Sequence, residues 1–542
     1  MKFSKIAIFL AFAITMASCT MVPKEANIIP KEADMVMVFD TKSLFLKGQL
    51  KNIKEHEWAK DLISEAQSTD QNVAKFFQKY IDDPSSIGID LTKKSIFFTT
   101  KFEHNRYQAL LCYVKDGKTF YQFMQDLFES ADLEFTHKIG KDKSYFLVDD
   151  VAIMYDNDKA LFVGNSGWSR DEKTRLIALN TMFMADKELA ITNNAKFKKF
   201  YRNSKDISVF INAESILKSV FNSRNMPEAD VNFENTSYEA HLNFEDDQIE
   251  LSYRLNLSDE NEAKFGPDMY LNSKISDEVL GFGMEQSILS AGFNVDLAGL
   301  AELYENMGLM KDASVTLKSE YGVGLNELAS AIKGSMCFNF KGIEKMTVSK
   351  ERAIDSRYNP ETGRYELVYK TIESEEAVPM MTFTANLNDE SVIKRMMEKA
   401  ELSDTAGYYV IKNRTMDMYI GIKNNLLCAT TTKAMINDFL AGKSTKPDPN
   451  ITRLLSNPSF AYANLNMESY PKGFKDQIKE STEAYQYGSI TSKYFSHIDL
   501  IGRSNASIDV MAKTTNNESN SLHQLMMLVD EIYVVERRAT EF

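Results

Sequence analysis

Four times along this chain a run of mostly apolar positions ends on Asp or Asn and leads into a helical stretch opening on Ser or Leu. The runs are residues 36–40 with Ser43, Ile207–Asn212 with Ser215, Leu289–Asn294 with Leu297, and 460–466 with Ser469. Each predicts a strand, a polar cap and a helix start. Asp40 and Asn212 are 172 positions apart, as are Asn294 and Asn466, and the two pairs are offset from each other by 254. Equal spacing in both comparisons predicts one module of about 250 residues written twice.

Further elements keep the same order in both halves. Residues 109–114 form an apolar strand followed by the acid-started helix from Asp116, and residues 381–385 precede a matching helix from Asn388 and Asp389. Next comes a hairpin with tyrosines ten apart, Tyr145 and Tyr155, then Tyr409 and Tyr419. Each half closes on two alternating strands around a polar turn. In the first pair His241 and Asn243 alternate with Ala240, Leu242 and Phe244, as half-buried antiparallel strands do. Residues 342–378 have no counterpart in the first half. They read as an inserted hairpin turning at Asn359-Pro360-Glu361-Thr362-Gly363. A last helical run from Ser521 to Ile532 is expected to pack on the final sheet. The fold class predicted is α+β: two tandem modules, residues 30–270 and 271–542, each a mostly antiparallel sheet with helices packed on one face.

The N-terminus breaks this pattern. Lys2 and Lys5 precede an apolar stretch from Ile6 to Thr15, which has signal-peptide length and is too short to span a bilayer as a stable anchor. Met16-Ala17-Ser18-Cys19 then resembles a bacterial lipobox. It implies removal of residues 1–18 as a signal peptide, acylation of Cys19 by palmitate-type chains, and a tether over residues 19–29. Two or more acyl chains anchor stably where one does not. Ten extended residues reach about 30 Å, so the folded body is expected close to its membrane. Thr20 follows the cysteine where an aspartate would suggest inner-membrane retention. The outer membrane, periplasmic side, is therefore the expected location.

Hydrophobic residues make up 44% and charged residues 26%, ample for a sizeable core. The net charge is −14, and losing Lys2 and Lys5 with the leader moves it to −16. That balance disfavours nucleic acid and anionic lipid surfaces as main partners. Cys112, Cys337 and Cys428 sit in apolar β-like runs with no close spacing, which predicts buried thiols instead of a disulfide framework. The six histidines are scattered: position 60, where His56 would need a helical zinc partner, is Lys60. Gly442-Lys443-Ser444-Thr445 follows a helix instead of a strand and reads as a helix end and turn, not a phosphate loop. Tyr321-Gly322-Val323-Gly324 and Gly164-Asn165-Ser166-Gly167 lack the flanks of a dinucleotide loop and a nucleophile elbow. Asp149-Asp150 and Glu245-Asp246-Asp247 fall at hairpin tips, where solvated charge is expected. No catalytic, cofactor-binding or metal-ligating residue is assigned, and no cofactor is expected; Cys19 is the one site residue.

Residues 29–34, Ile-Pro-Lys-Glu-Ala-Asp, followed by Val36-Met37-Val38-Phe39-Asp40-Thr41-Lys42-Ser43-Leu44, resemble the entry of an uncharacterised envelope lipoprotein family, domain of unknown function 4836. The resemblance spans most of the mature chain through the repeated layout and implies no activity, cofactor or site. The reading preferred here is a non-enzymatic, membrane-anchored envelope lipoprotein. It would bind through exposed sheet faces or the cleft between its halves, as a scaffold or accessory to another envelope protein. Its expected partners are membrane lipid, through the acylated N-terminus, and an envelope protein, with no nucleic acid. Two alternatives stay open: a glycan- or peptide-directed hydrolase whose site is assembled from remote residues, and a hydrophobic-ligand carrier with an apolar cavity between sheet and helices.

Overall fold

The computed structural model describes residues 24–540, apart from 103–104, 166–171, 185–186, 214–235, 266–270, 272–273, 307–309, 403, 413–415 and 504–505. Two compact units divide the chain. One comprises residues up to 266 together with those from 506 onward, and the other residues 267–505.

In the first unit, strands β1 (Met35–Phe39), β2 (Ser95–Phe102), β3 (Asn105–Tyr113), β4 (Phe135–Ile139), β5 (Ser144–Val148), β6 (Val151–Tyr155), β7 (Lys159–Asn165), β8 (Ile207–Asn212), β9 (Ser237–Phe244) and β10 (Gln248–Asn256) form an antiparallel sheet. Its order is β4-β5-β6-β7-β3-β2-β1-β8-β9-β10. The second unit holds β11 (Leu289–Asn294), β12 (Ile332–Asn359), β13 (Arg364–Leu387), β14 (Asp404–Thr405), β15 (Tyr408–Ile411), β16 (Met418–Lys423), β17 (Leu426–Thr430), β18 (Ser459–Asn464) and β19 (Phe495–Arg503). Their order is β14-β15-β16-β17-β13-β12-β11-β18-β19. Position by position, the second order repeats the first from β4 through β9.

The last strand, β20 (Ser507–Thr514), pairs antiparallel with β10 in the first unit, with Val510 opposite Leu251 and Ile508 opposite Tyr253. This departs from the expected boundary, which gave everything after residue 270 to the second module. Without β20, one edge of β10 would lack a partner, and an unpaired edge leaves a row of open backbone donors and acceptors. The α+β class holds. Helices on one face only does not hold throughout, because both faces of β3 and β7 are covered. On one side Leu111, Leu161 and Val163 join Val36, Val38, Ile96, Phe98 and Phe210. They pack on Leu179 and Met182 of α5 (Glu172–Phe183) and on Phe197 and Phe200 of α6 (Ala195–Arg202). On the other side Cys112, Ala160 and Phe162 pack on α3 (Gln71–Asp82) and α4 (Gly117–Ser130) through Phe76, Tyr80, Phe120 and Phe123. Period-two alternation puts Leu111 and Cys112 into different cores.

Local sequence sets the helices. In α4, Phe120, Phe123, Met124, Leu127 and Phe128 fall on one buried stripe, and Asp116 caps the start by accepting from the Thr119 amide at 2.6 Å. Asp389 does the same for Ser391, at 2.9 Å, in the matching helix Glu390–Lys399. Of the four strand-ending caps expected, two form. Asp40 caps α1 (Thr41–Lys47) through the Ser43 amide at 3.1 Å, and Asn466 accepts from Glu468 at 3.1 Å. Asn294 instead donates to the Lys274 carbonyl, and Asp296 caps the following helix at Gly299. The contact expected of Asn212 with the helix at Ser215 lies outside the described residues. Gly442, at φ +77°, ends the helix Lys433–Ala441 as expected of the Gly-Lys-Ser-Thr run.

Candidate interaction surface

The inserted hairpin expected at residues 342–378 falls within two long strands. Its strands are continuous with the sheet, so β12 runs for 28 residues and β13 for 24. β12 pairs with β11 only up to Phe340, and β13 pairs with β17 only from Thr382. Beyond that, β12 and β13 pair with each other from Gly342–Met380 out to Asn359–Arg364. At 3.3 Å per residue the two-stranded ribbon extends for about 55 Å. Register shifts between Phe340 and Gly342 and between Ala353 and Asp355 absorb an extra residue each.

The base of the ribbon is tightly packed. Phe340 meets Phe474, of the helix Lys472–Glu480, edge to face at 5.6 Å. Gly473 of that helix lies so close that a Cβ there would stand 2.6 Å from the Ile343 carbonyl oxygen. Gly342 has φ +122°, a conformation L side chains rarely adopt. At the far end Asn359 accepts from the Glu361 amide at 2.9 Å and Gly363 takes φ +67°, closing the turn. Tyr358 and Tyr365 face each other across the strands next to that turn, with centroids 5.5 Å apart. They are 57% and 74% exposed, Leu367 is 56% exposed and Ile354 55%. A two-stranded ribbon is marginal in water unless tied down at its base, and the cross-strand Tyr358–Tyr365 pair adds at most about 1 kcal/mol at its end. Charges of both signs, such as Arg357 opposite Glu366, line it and discourage indiscriminate strand addition.

Each unit also carries a half-exposed apolar sheet face. In the first, Met37, Val209, Ala240, Tyr253 and Ile508 form one row across β1, β8, β9, β10 and β20. Phe39, Ile207, Leu242, Leu251 and Val510 form the next. Leu251 is 40% exposed, Tyr253 36% and Ile508 39%. Partial burial beside Tyr238 pushes the Tyr253 phenol up to about 12. In the second unit one row runs from half-exposed Phe293 to buried Met336 and Ala385, and the next holds Ala291, Phe338 and Phe383. The opposite face there is buried and mixes Cys337, Phe460 and Tyr462 with hydrogen-bonded polar groups. Ser290 donates to Asn339 at 2.8 Å, Thr384 to the Val279 carbonyl at 2.9 Å, and Asn386 to Glu278 at 2.9 Å.

Buried ionisable groups are held in structural networks. Asp206 accepts from Lys47 at 2.8 Å, the Ser43 hydroxyl at 2.6 Å and the Phe244 amide at 2.6 Å. Lys94 beside it is lowered by burial, against the pull of Asp40 and Asp206. Cys112, Cys337 and Cys428 are buried and unbridged. Burial pushes the thiols of Cys112 and Cys337 up to about 12, so they stay protonated and unreactive. Among the described residues no group of three or more His, Cys, Asp and Glu side chains could hold a metal ion. No described helix is long and apolar enough to cross a membrane.

Cys19, the one assigned site residue, lies outside the described residues. The sequence marks the ribbon as an insertion without marking its tip as a site. The available signal was the symmetry of Tyr358-Asn359 and Arg364-Tyr365, large side chains flanking a turn whose other positions are polar.

The profile of a domain of unknown function, DUF4836, matches residues 25–516. No curated protein matches the chain. Crystal form III of TP0453 aligns at 12% identity over 44% of this chain and 81% of that one, with a TM-score of 0.25. Crystal form IV aligns at 11% identity over 43% and 81%, also at 0.25. That likeness is too slight to bear on fold or function.

Proposed function

The chain belongs to the DUF4836 family of domains of unknown function, and from that premise we propose a non-catalytic binding protein of the bacterial envelope. It is tethered through acylated Cys19 and engages an envelope protein through the tip of the β12–β13 ribbon. One observation carries this reading: Ile354, Tyr358, Tyr365 and Leu367 are exposed at the end of an arm that contributes little to the core of its unit. Burying such a side chain at an interface gains on the order of 1 kcal/mol, and tyrosine is among the residues enriched where binding energy concentrates.

The carrier reading required a cavity between sheet and helices. In the first unit the space between the central strands and α6 is filled by Phe98, Phe197, Phe200 and Phe210, which makes binding at the surface the better-supported reading.

The test places a photo-crosslinking amino acid at Tyr365 in cells, with exposed Tyr485 as the control position. One discrete protein adduct at Tyr365 and none at Tyr485 is the expected result. Equal, diffuse labelling at both positions would refute the ribbon as the binding element. The tether is tested separately, by whether fatty-acid labelling disappears in Cys19→Ala.

A further inference from the structure

An open cleft of about 550 Å³ lies in the first unit where the β4–β5 hairpin meets α5. Its volume falls in the range that holds one small molecule. Tyr145, Met154 and Leu176 line it. Met154 is 4% exposed within the main core and the other two pack against that core, so the apolar floor is rigid. The hairpin turn adds Lys138, Lys141 and Lys143, against a single acid, Asp142. That is a local excess of positive charge on a chain whose net charge is −14. Lys143 is fixed by donating to Asn180 at 2.6 Å, and Lys138 lies 5.8 Å from the centre of the Tyr145 ring. Between the lysines Ile139 is 81% exposed, an apolar side chain without burial at the mouth of a cationic cleft.

We propose that this cleft binds a single-chain amphiphile with an anionic headgroup, of the fatty-acid class. The hydrocarbon chain covers Tyr145, Met154 and Leu176. The carboxylate sits among Lys138, Lys141 and Lys143, where two opposite charges at contact distance in a partly desolvated site attract far more than in bulk water. The assignment is independent of the ribbon.

The experiment is calorimetric titration of the purified chain with tetradecanoate, tetradecanol, tetradecyltrimethylammonium and tetradecyl phosphate, each below its micelle concentration. Tetradecanoate is expected to bind, with the ammonium amphiphile at least about tenfold weaker, a difference of about 1.4 kcal/mol. Lys138→Glu with Lys141→Glu is expected to cost a similar factor. Both positions are solvent-exposed, so the variant keeps its fold. Equal affinity for all headgroups, unchanged affinity in the lysine variant, or no binding of tetradecanoate would overturn the proposal. Tighter binding of the phosphate than the carboxylate would overturn the fatty-acid class.

Discussion

Asp530 accepts a hydrogen bond from the backbone amide of Trp58, 3.3 Å away and 472 residues earlier in the chain. Trp58 lies in the first turn of α2 (Glu57–Thr69), whose N-cap, His56, makes no side-chain cap of its own. The cap is supplied by the C-terminal helix, Ser521–Thr540, and its negative charge also suits the positive end of the helix dipole. Further along the same contact Arg537 grips Asp61 at 2.6 and 2.8 Å, and Tyr533 donates to Asp61 at 3.0 Å.

Removing that remote cap should therefore destabilise the first unit. Asp530→Ala is expected to cost about 1–2 kcal/mol, the usual range for a lost N-cap. Asp530→Asn, which keeps an acceptor, should recover part of it. Urea unfolding midpoints check this, and an unshifted midpoint for Asp530→Ala would show that the helices dock without the cap.

The pH dependence follows from two histidines. His137 stacks on Phe146 at 4.4 Å and its Nε2 lies 3.1 Å from the Tyr155 hydroxyl, and burial lowers its pKa below the ordinary 6.5. His523 is lowered too, first by burial and then by His56. The fold therefore favours the neutral rings. Their contribution is complete above pH 6.5. It is lost as pH falls below 6.5, where the unfolded chain takes up protons first, until the folded-state values are passed. His137→Phe keeps the stacking and removes one proton site, so its thermal midpoint should fall less between pH 7 and pH 5 than that of the parent. Parallel curves would refute the assignment.

At two positions the sheet of the second unit reverses the usual consequence of hydropathy. Asn339 is fully buried, linking Ser290, Thr382 and the Phe282 carbonyl, while Leu289 on the other face is 38% exposed. Asn339→Leu, which leaves Ser290 and Thr382 without partners, is expected to cost about 2–4 kcal/mol. Leu289→Gln should cost about 1 kcal/mol or less. Chemical denaturation of the two variants checks the order, and the opposite ranking would mean the apolar face is the covered one.

That reversal also shows where sequence reading stops. Period two separates Ser290 and Gly292 from Leu289, Ala291 and Phe293, but it cannot say which face other elements cover. The helix stripe of α4, the caps at Asp116 and Asp389, the hairpin tips and the buried cysteines were legible, since each depends on neighbours within a few positions. The pairing of β20 with β10 was not, because its partner is remote in the chain. Nor was the continuity of β12 with the ribbon, which rests on two one-residue register shifts.

The last expectation separates the ribbon from its base. Replacing residues 345–376 with a two-residue turn leaves β12 paired to β11, β13 paired to β17, and the Phe340–Phe474 contact intact. Because the deleted rungs lie beyond the pairings with β11 and β17, the unfolding midpoint of the second unit should move by no more than about 0.5 kcal/mol, the scale of surface changes away from packed features. Gly473→Val makes the contrasting case. Its new side chain would drive into the Ile343 carbonyl, a backbone atom that cannot swing aside, and overpacking of that kind costs about 1–3 kcal/mol. A stable deletion and a destabilised Gly473→Val would establish an arm that the unit carries but does not need for folding. If the deletion instead lowered the midpoint as much as Gly473→Val, the ribbon would be part of the core's support, and its exposed tyrosines would no longer argue for binding.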